Sequence, residues 1–83
     1  MIKQRYAGGI DIGALAAKAV ILDGSSVVAC EIMPTGASGR VTPSKLFEAL
    51  LDKAALSLDD IAYIVATGYG RINVPFANKQ VTE

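Results

Sequence analysis

The sequence contains no histidine, no tryptophan and a single cysteine, Cys30. Without histidine and with one thiol, the chain can build neither a disulfide framework nor a nitrogen- and sulfur-ligated metal centre of its own, so any metal it binds must use oxygen ligands. An excess of either charge is missing too. Eight basic residues balance eight acidic ones, and because they are scattered there is no electrostatic footprint for nucleic acid or for an anionic membrane. No apolar run approaches the roughly 20 residues of a bilayer-spanning helix. The start, Met-Ile-Lys-Gln-Arg-Tyr, leads into a strand-like run instead of a cleavable signal. These absences point to a soluble, cytoplasmic protein with no nucleic-acid or membrane partner.

What is present is apolar. Hydrophobic residues make up 52% of 83 residues, with a mean hydropathy of +0.40. Independent domains usually run to roughly 100–150 residues, so one core is available. The composition reads as a slice through a larger protein, with part of its apolar surface expecting a partner.

Tyr6 to Ile12 reads as a strand, with Gly8 and Gly9 marking a place where a neighbour packs closely on the backbone. Alternation puts Asp11 on one face and Ile10 and Ile12 on the other, toward a core. Ala17 to Leu22 is a second strand, Asp23-Gly24 a strong hairpin signal, and Ser25 to Met33 the third strand of an antiparallel meander. Pro34 to Arg40 is a loop by composition, and Thr42 before Pro43 fits an N-cap with proline in the first turn. Leu46, Phe47, Leu50, Leu51, Ala54 and Leu58 recur at helical spacing, with Lys45, Glu48, Asp52 and Lys53 toward solvent. This helix should cover one face of the sheet. Asp59-Asp60 marks a turn, Ile61 to Ala66 a buried fourth strand, Thr67 to Arg71 a glycine-marked exit, and Asn78 to Glu83 the start of another helix.

The segment from Ile10 to Lys18 carries the chemistry: an acidic residue near a strand end, a glycine turn, and a lysine on the returning strand. A tight turn can gather backbone N–H groups into one concavity, Lys18 adds a point charge, and Asp11 can hold Mg²⁺ through water. Neither a P-loop nor a G-x-G-x-x-G fingerprint is present. The same residues also describe an ordinary hairpin with an aspartate capping its own turn and a solvated lysine. The D-x-G pattern alone leaves both readings open.

Three stretches carry a family resemblance: Gly9-Ile10-Asp11-Ile12-Gly13, Lys18 to Gly24, and above all Ala66-Thr67-Gly68-Tyr69-Gly70-Arg71 followed by Ala77 to Glu83. They resemble the amino-terminal part of the activators of 2-hydroxyacyl-CoA dehydratases and the related ATP-binding subunits of benzoyl-CoA reductase. The resemblance covers nearly the whole chain. It implies an α/β fold, a partial actin-like (ribonuclease H-like) lobe with the meander, helix and fourth strand just described. Residues 1–83 would then be the first part of an ATP-binding lobe, ending before the cluster cysteines. It further implies Mg-ATP as ligand and a [4Fe-4S] cluster shared in a homodimer or pseudodimer of the complete protein, outside this segment. The partner would be a dehydratase or reductase receiving a low-potential electron driven by ATP hydrolysis.

On that reading Asp11 organises Mg²⁺, Gly13, Ala14, Leu15 and Ala16 offer backbone N–H groups to the phosphates, and Lys18 neutralises their charge; no catalytic residue is assigned. The family's turn usually carries hydroxyls where this chain has Ala14-Leu15-Ala16-Ala17. Either nucleotide is bound by backbone alone or this is the weaker member of a two-subunit assembly, which leans toward the reductase type. Two rivals stand beside it: a small-molecule kinase of the same superfold, and a non-catalytic assembly module. Of the other residues, Cys30 reads as a small buried hydrophobe and Tyr69 as a packing anchor. Arg71 is either a solvated arginine or a contact to phosphate or to a second subunit.

Overall fold

The computed structural model describes residues 6–36 and 41–82. Five strands form one mixed sheet: β1 (Tyr6–Ile12), β2 (Ala16–Asp23), β3 (Ser26–Pro34), β4 (Ile61–Thr67) and β5 (Lys79–Gln80), in the spatial order β3-β2-β1-β4-β5. The meander expected from the sequence is there, with β1 antiparallel to β2 and β2 to β3. β4 returns parallel to β1. A parallel neighbour needs a long crossover, and helix α1 (Thr42–Ala54) supplies it.

The helix covers one face of the sheet. Leu46, Phe47 and Leu50 are buried in one cluster with Ile10, Ile12, Ala17, Ala19, Ile21, Ile64 and Ala66. Each leucine, isoleucine or phenylalanine of this cluster contributes about 1.5–3 kcal/mol by leaving water. Gly8 makes the approach possible, since a Cβ there would stand 2.9 Å from Phe47 Cζ. Phe47 in turn meets Phe76, with ring centroids 5.2 Å apart.

β4 is less buried than its apolar sequence suggests. A register shift opposite Tyr6 and Ala7 lets both Ile61 and Ile64 reach the core, while Tyr63 is 45% exposed on the other side. That other face, carrying Gly9, Asp11, Lys18, Val20, Val65 and Thr67, has no helix on it among the described residues.

Three local expectations are corrected. Asn78 onward is not a helix. The Asn78 side chain accepts the Ile64 N–H at 2.7 Å, while its own N–H and that of Val81 donate to Ile64 and Ala66 carbonyls. The free edge of β4 thus captures the segment as β5; Glu83 lies outside the described residues. Thr42 is the first helical residue and not the cap, a position taken by Val41 without a side-chain bond. Its hydroxyl instead donates to the Thr35 carbonyl. Leu58 falls outside the helical stripe because Ala55, in the left-handed region at φ 57°, ends the helix and passes the chain to a 3₁₀ turn at Leu58–Asp60. Of the expected loop 34–40, Pro34 ends β3, Thr35 and Gly36 leave it, and residues 37–40 lie outside the described residues.

Candidate functional site

The residues singled out for phosphate chemistry meet at one end of the sheet. Asp11 is the penultimate residue of β1, facing Lys18 on β2 and Thr67 on β4 across the ladder. Alternation puts all three on the helix-free face. A cavity of about 720 Å³ opens there, lined by Asp11, Lys18, Val20, Val65, Thr67 and Val81 among others.

Asp11 Oδ1 is buried and has no hydrogen-bond partner. A buried carboxylate oxygen left without a donor costs roughly 1–3 kcal/mol or more. Such a group marks a place where a cation or bound water completes the set. Among the described residues, no cluster of three acidic, cysteine or histidine side chains could hold a metal alone. A single carboxylate suits Mg²⁺, which keeps several waters and takes its other ligands from phosphates.

What fixes Asp11 is the exit from β4. Gly68 has φ 92°, and a Cβ on it would collide with Asp11 Oδ1 and stand 2.6 Å from the Ile12 carbonyl. Two residues on, the Gly70 N–H donates to that same carbonyl at 2.9 Å, and a Cβ at Gly70 would strike the Ile12 side chain. Arg71 closes the loop on itself, its N–H and its Nη1 both donating to the Gly68 carbonyl. Its carbonyl accepts from Gln80 of β5 at 3.1 Å. Thr67-Gly68-Tyr69-Gly70-Arg71 is therefore the mould into which the end of β1 is pressed.

The connection from β1 to β2 is tight. The Gly13 N–H donates to the Ala16 carbonyl at 3.0 Å, leaving Ala14 and Leu15 at an exposed tip. Neither has a positive φ, and among the described residues their N–H groups have no acceptor. The turn thus offers backbone donors next to a carboxylate and a lysine. No side-chain hydroxyl is added at positions 14 to 17.

Gly13, Ala14, Leu15, Ala16, Lys18 and Asp11 stand at one end of the sheet, but the Gly13 N–H expected to face a phosphate is instead taken by the Ala16 carbonyl as it closes the turn. Three other residues are placed differently. Cys30 is exposed, because β3 is an edge strand and Cys30 pairs with Val20 on the helix-free face. Tyr69 is 85% exposed and packs nothing down, as its neighbouring glycines make the close contacts. Arg71 braces its own loop. Sequence reasoning missed Thr35, whose hydroxyl donates to the Gly13 carbonyl at 2.7 Å. It read Thr67 to Arg71 as a glycine-marked exit without seeing that Gly68 and Gly70 make room for the end of β1; their spacing about a strand exit was the available signal.

No family model matches the chain. Curated relatives do. Over 79 residues, 94% of the chain, it is 43% identical to the activator of lactoyl-CoA dehydratase of Anaerotignum propionicum. It is 44% identical to the 2-hydroxyisocaproyl-CoA dehydratase activator of Clostridioides difficile, again over 94% of the chain. The chain spans 30% and 29% of those two proteins. Among solved structures, component A of the Acidaminococcus fermentans (R)-2-hydroxyglutaryl-CoA dehydratase superposes with a TM-score of 0.84 at 37% identity, over 93% of this chain and 30% of that one. The Clostridium difficile activator with bound ADPNP gives 0.83 at 42%, over 93% and 29%. The ROK hexokinase of Thermus thermophilus, at 0.64 and 17% identity over 94% and 33%, shares the fold alone.

Proposed function

We infer that this chain, homologous to the amino-terminal portion of the 2-hydroxyacyl-CoA dehydratase activators and folded like that part of their actin-like lobe, supplies the first phosphate-binding half of an ATPase site. The complete protein would be an ATP-hydrolysing activator acting in the cytoplasm on a CoA-thioester dehydratase. The observation that carries the reading is the orphaned Asp11 Oδ1, buried beside Gly68 at the end of β1. An aspartate capping its own turn would accept the N–H that closes it, and here that N–H, of Gly13, donates to the Ala16 carbonyl instead.

The residues divide the work by chemistry. Asp11 takes Mg²⁺ through water, and the cation supplies positive charge beside the phosphoryl oxygens. The N–H groups of Ala14, Leu15 and Ala16 donate to those oxygens, and Lys18 adds a mobile charge from the neighbouring strand. Positions 14 to 17 add no side-chain hydroxyl. A [4Fe-4S] cluster finds no ligand set among the described residues, where Cys30 stands alone on an edge strand, so no electron step is derived from them. Dimerisation and the electron-accepting partner belong to the rest of the protein in this proposal. We take the dehydratase activator over the benzoyl-CoA reductase subunit because the relatives above are named as dehydratase activators. The kinase reading has only a shared fold behind it.

Titrating Mg-ATP into the complete protein tests the reading. Asp11→Asn is expected to weaken Mg-ATP binding at least about tenfold, the size of one lost charge-assisted interaction, and to leave metal-free ATP binding nearly unchanged. Equal losses with and without Mg²⁺ would return Asp11 to a structural role. Absence of nucleotide binding in the parent protein would favour a non-catalytic assembly module.

A further inference from the structure

Thr35 follows β3 and lies 22 positions along the chain from Gly13. It is the buried polar residue among those described, 6% exposed, and all its polar groups are used. The hydroxyl donates to the Gly13 carbonyl at 2.7 Å, the N–H donates to the Leu15 carbonyl at 3.0 Å, and the carbonyl accepts from the Thr42 hydroxyl at the start of α1. One residue therefore grips two carbonyls of the same tight turn and is itself held by the helix.

Peptide planarity turns this grip into a statement about donors. In a trans peptide the C=O of one residue and the N–H of the next point in opposite directions, and no peptide bond here is cis. With the Gly13 carbonyl drawn toward Thr35, the Ala14 N–H must point away from it. With the Leu15 carbonyl drawn the same way, the Ala16 N–H must do likewise. Both donors then face the β1 side of the turn, the strand on which Asp11 lies. A glycine-and-alanine turn without such a clamp is free to flip either peptide and present a carbonyl to an anion.

We propose that Thr35 is a positioning residue for the phosphate turn, setting the orientation of the Gly13–Ala14 and Leu15–Ala16 peptides so that their N–H groups meet a nucleotide's phosphate oxygens. It touches no ligand. The idea rests on the nucleotide reading above and adds the device that lets a turn without hydroxyls bind phosphate.

The test is titration of Mg-ATP and of adenosine into the complete protein, for the wild type, Thr35→Val, Thr35→Ser and Thr42→Val. Thr35→Val keeps the shape and removes the hydroxyl. It is expected to weaken Mg-ATP about five- to tenfold, the worth of one lost hydrogen bond, with adenosine binding unchanged. Thr35→Ser should restore wild-type affinity for both ligands. Thr42→Val should weaken Mg-ATP less, in the same direction, and serves as the deciding variant if Thr35→Val does not fold. Unchanged Mg-ATP binding in the Val variants overturns the positioning role while leaving the nucleotide site intact, as does an equal loss of adenosine or a serine that fails to rescue. If the wild type binds Mg-ATP no better than adenosine, the phosphate reading fails and the role of Thr35 falls with it.

Discussion

The two turns that close the antiparallel hairpins stand at opposite ends of the same strands and are held in different ways. Between β2 and β3 the chain turns on Gly24 and Ser25, next to the paired Asp23 and Ser26; Gly24 adopts φ 64° with open space around it, which suits glycine at the first position of a two-residue turn. Nearby, on the chain entering β4, the Ser57 N–H and hydroxyl both bind the Asp60 carboxylate, at 2.9 and 3.2 Å. At the other end the Gly13–Ala16 turn is gripped by Thr35, and the end of β1 is pressed against Gly68 and Gly70. One end of the sheet is written in neighbouring residues; the other is assembled from distant ones. A site that must hold donors against an anion needs the second kind, because local turn chemistry does not fix which way each peptide faces.

The largest expected effect breaks this contrast directly. Gly68→Ala combines a left-handed φ with a Cβ driven into Asp11 and the Ile12 carbonyl, and it should cost about 3 kcal/mol or more of stability. Gly24→Ala, left-handed but unobstructed, should cost only about 1 kcal/mol. Urea denaturation of the two variants gives the comparison, and equal losses would mean that the site end is no more tightly moulded than the far end.

Next in size is Lys18→Ala. Lys18 is exposed and stands across the ladder from Asp11, so its loss should leave the melting temperature nearly untouched. It should weaken ATP binding by about 1.5 kcal/mol, the low end for a hydrogen bond to a charged group, and adenosine binding hardly at all. Competition titrations with the two ligands read this out; parallel losses would place the lysine away from the phosphates.

The smallest effect sharpens the far end. Ala55 closes α1 from the left-handed region, its N–H bound to Asp52 and that of Leu56 to Leu51. Glycine suits that position, so Ala55→Gly should raise stability by up to about 1 kcal/mol. A thermal melt of the variant checks it. A drop would show that the methyl group packs more than its backbone strain costs.

The same contrast explains what could be read from the sequence. The meander, the Asp-Gly turn, the helix and the face assignment of Asp11 follow from alternation and turn residues a few positions apart. Asn78 to Val81 could not be read that way, because the partner that makes them a strand is the edge of β4. Cys30 was misread for a related reason: an apolar strand looks alike whether it lies at the centre or the edge, and only the strand order puts β3 outermost. The residues of the site were legible as a list. Their support was not, since Thr35 sits in a loop of ordinary composition and the grip of Gly68 on Asp11 spans most of the chain.

The parallel pairing of β1 with β4 also bears on the order of assembly. The β1–β2–β3 meander joins segments adjacent in the chain, and closing short loops is fast and entropically cheap. β4 reaches β1 only after the helical crossover has been spanned, which makes its docking the slow, long-range step. Asp11 is enclosed by Gly68, just after β4, so its carboxylate stays open to water until that step occurs. Folding kinetics should then show the hairpins protected from amide exchange early and the end of β1 protected last, making the proposed phosphate site the final part of the sheet to take shape.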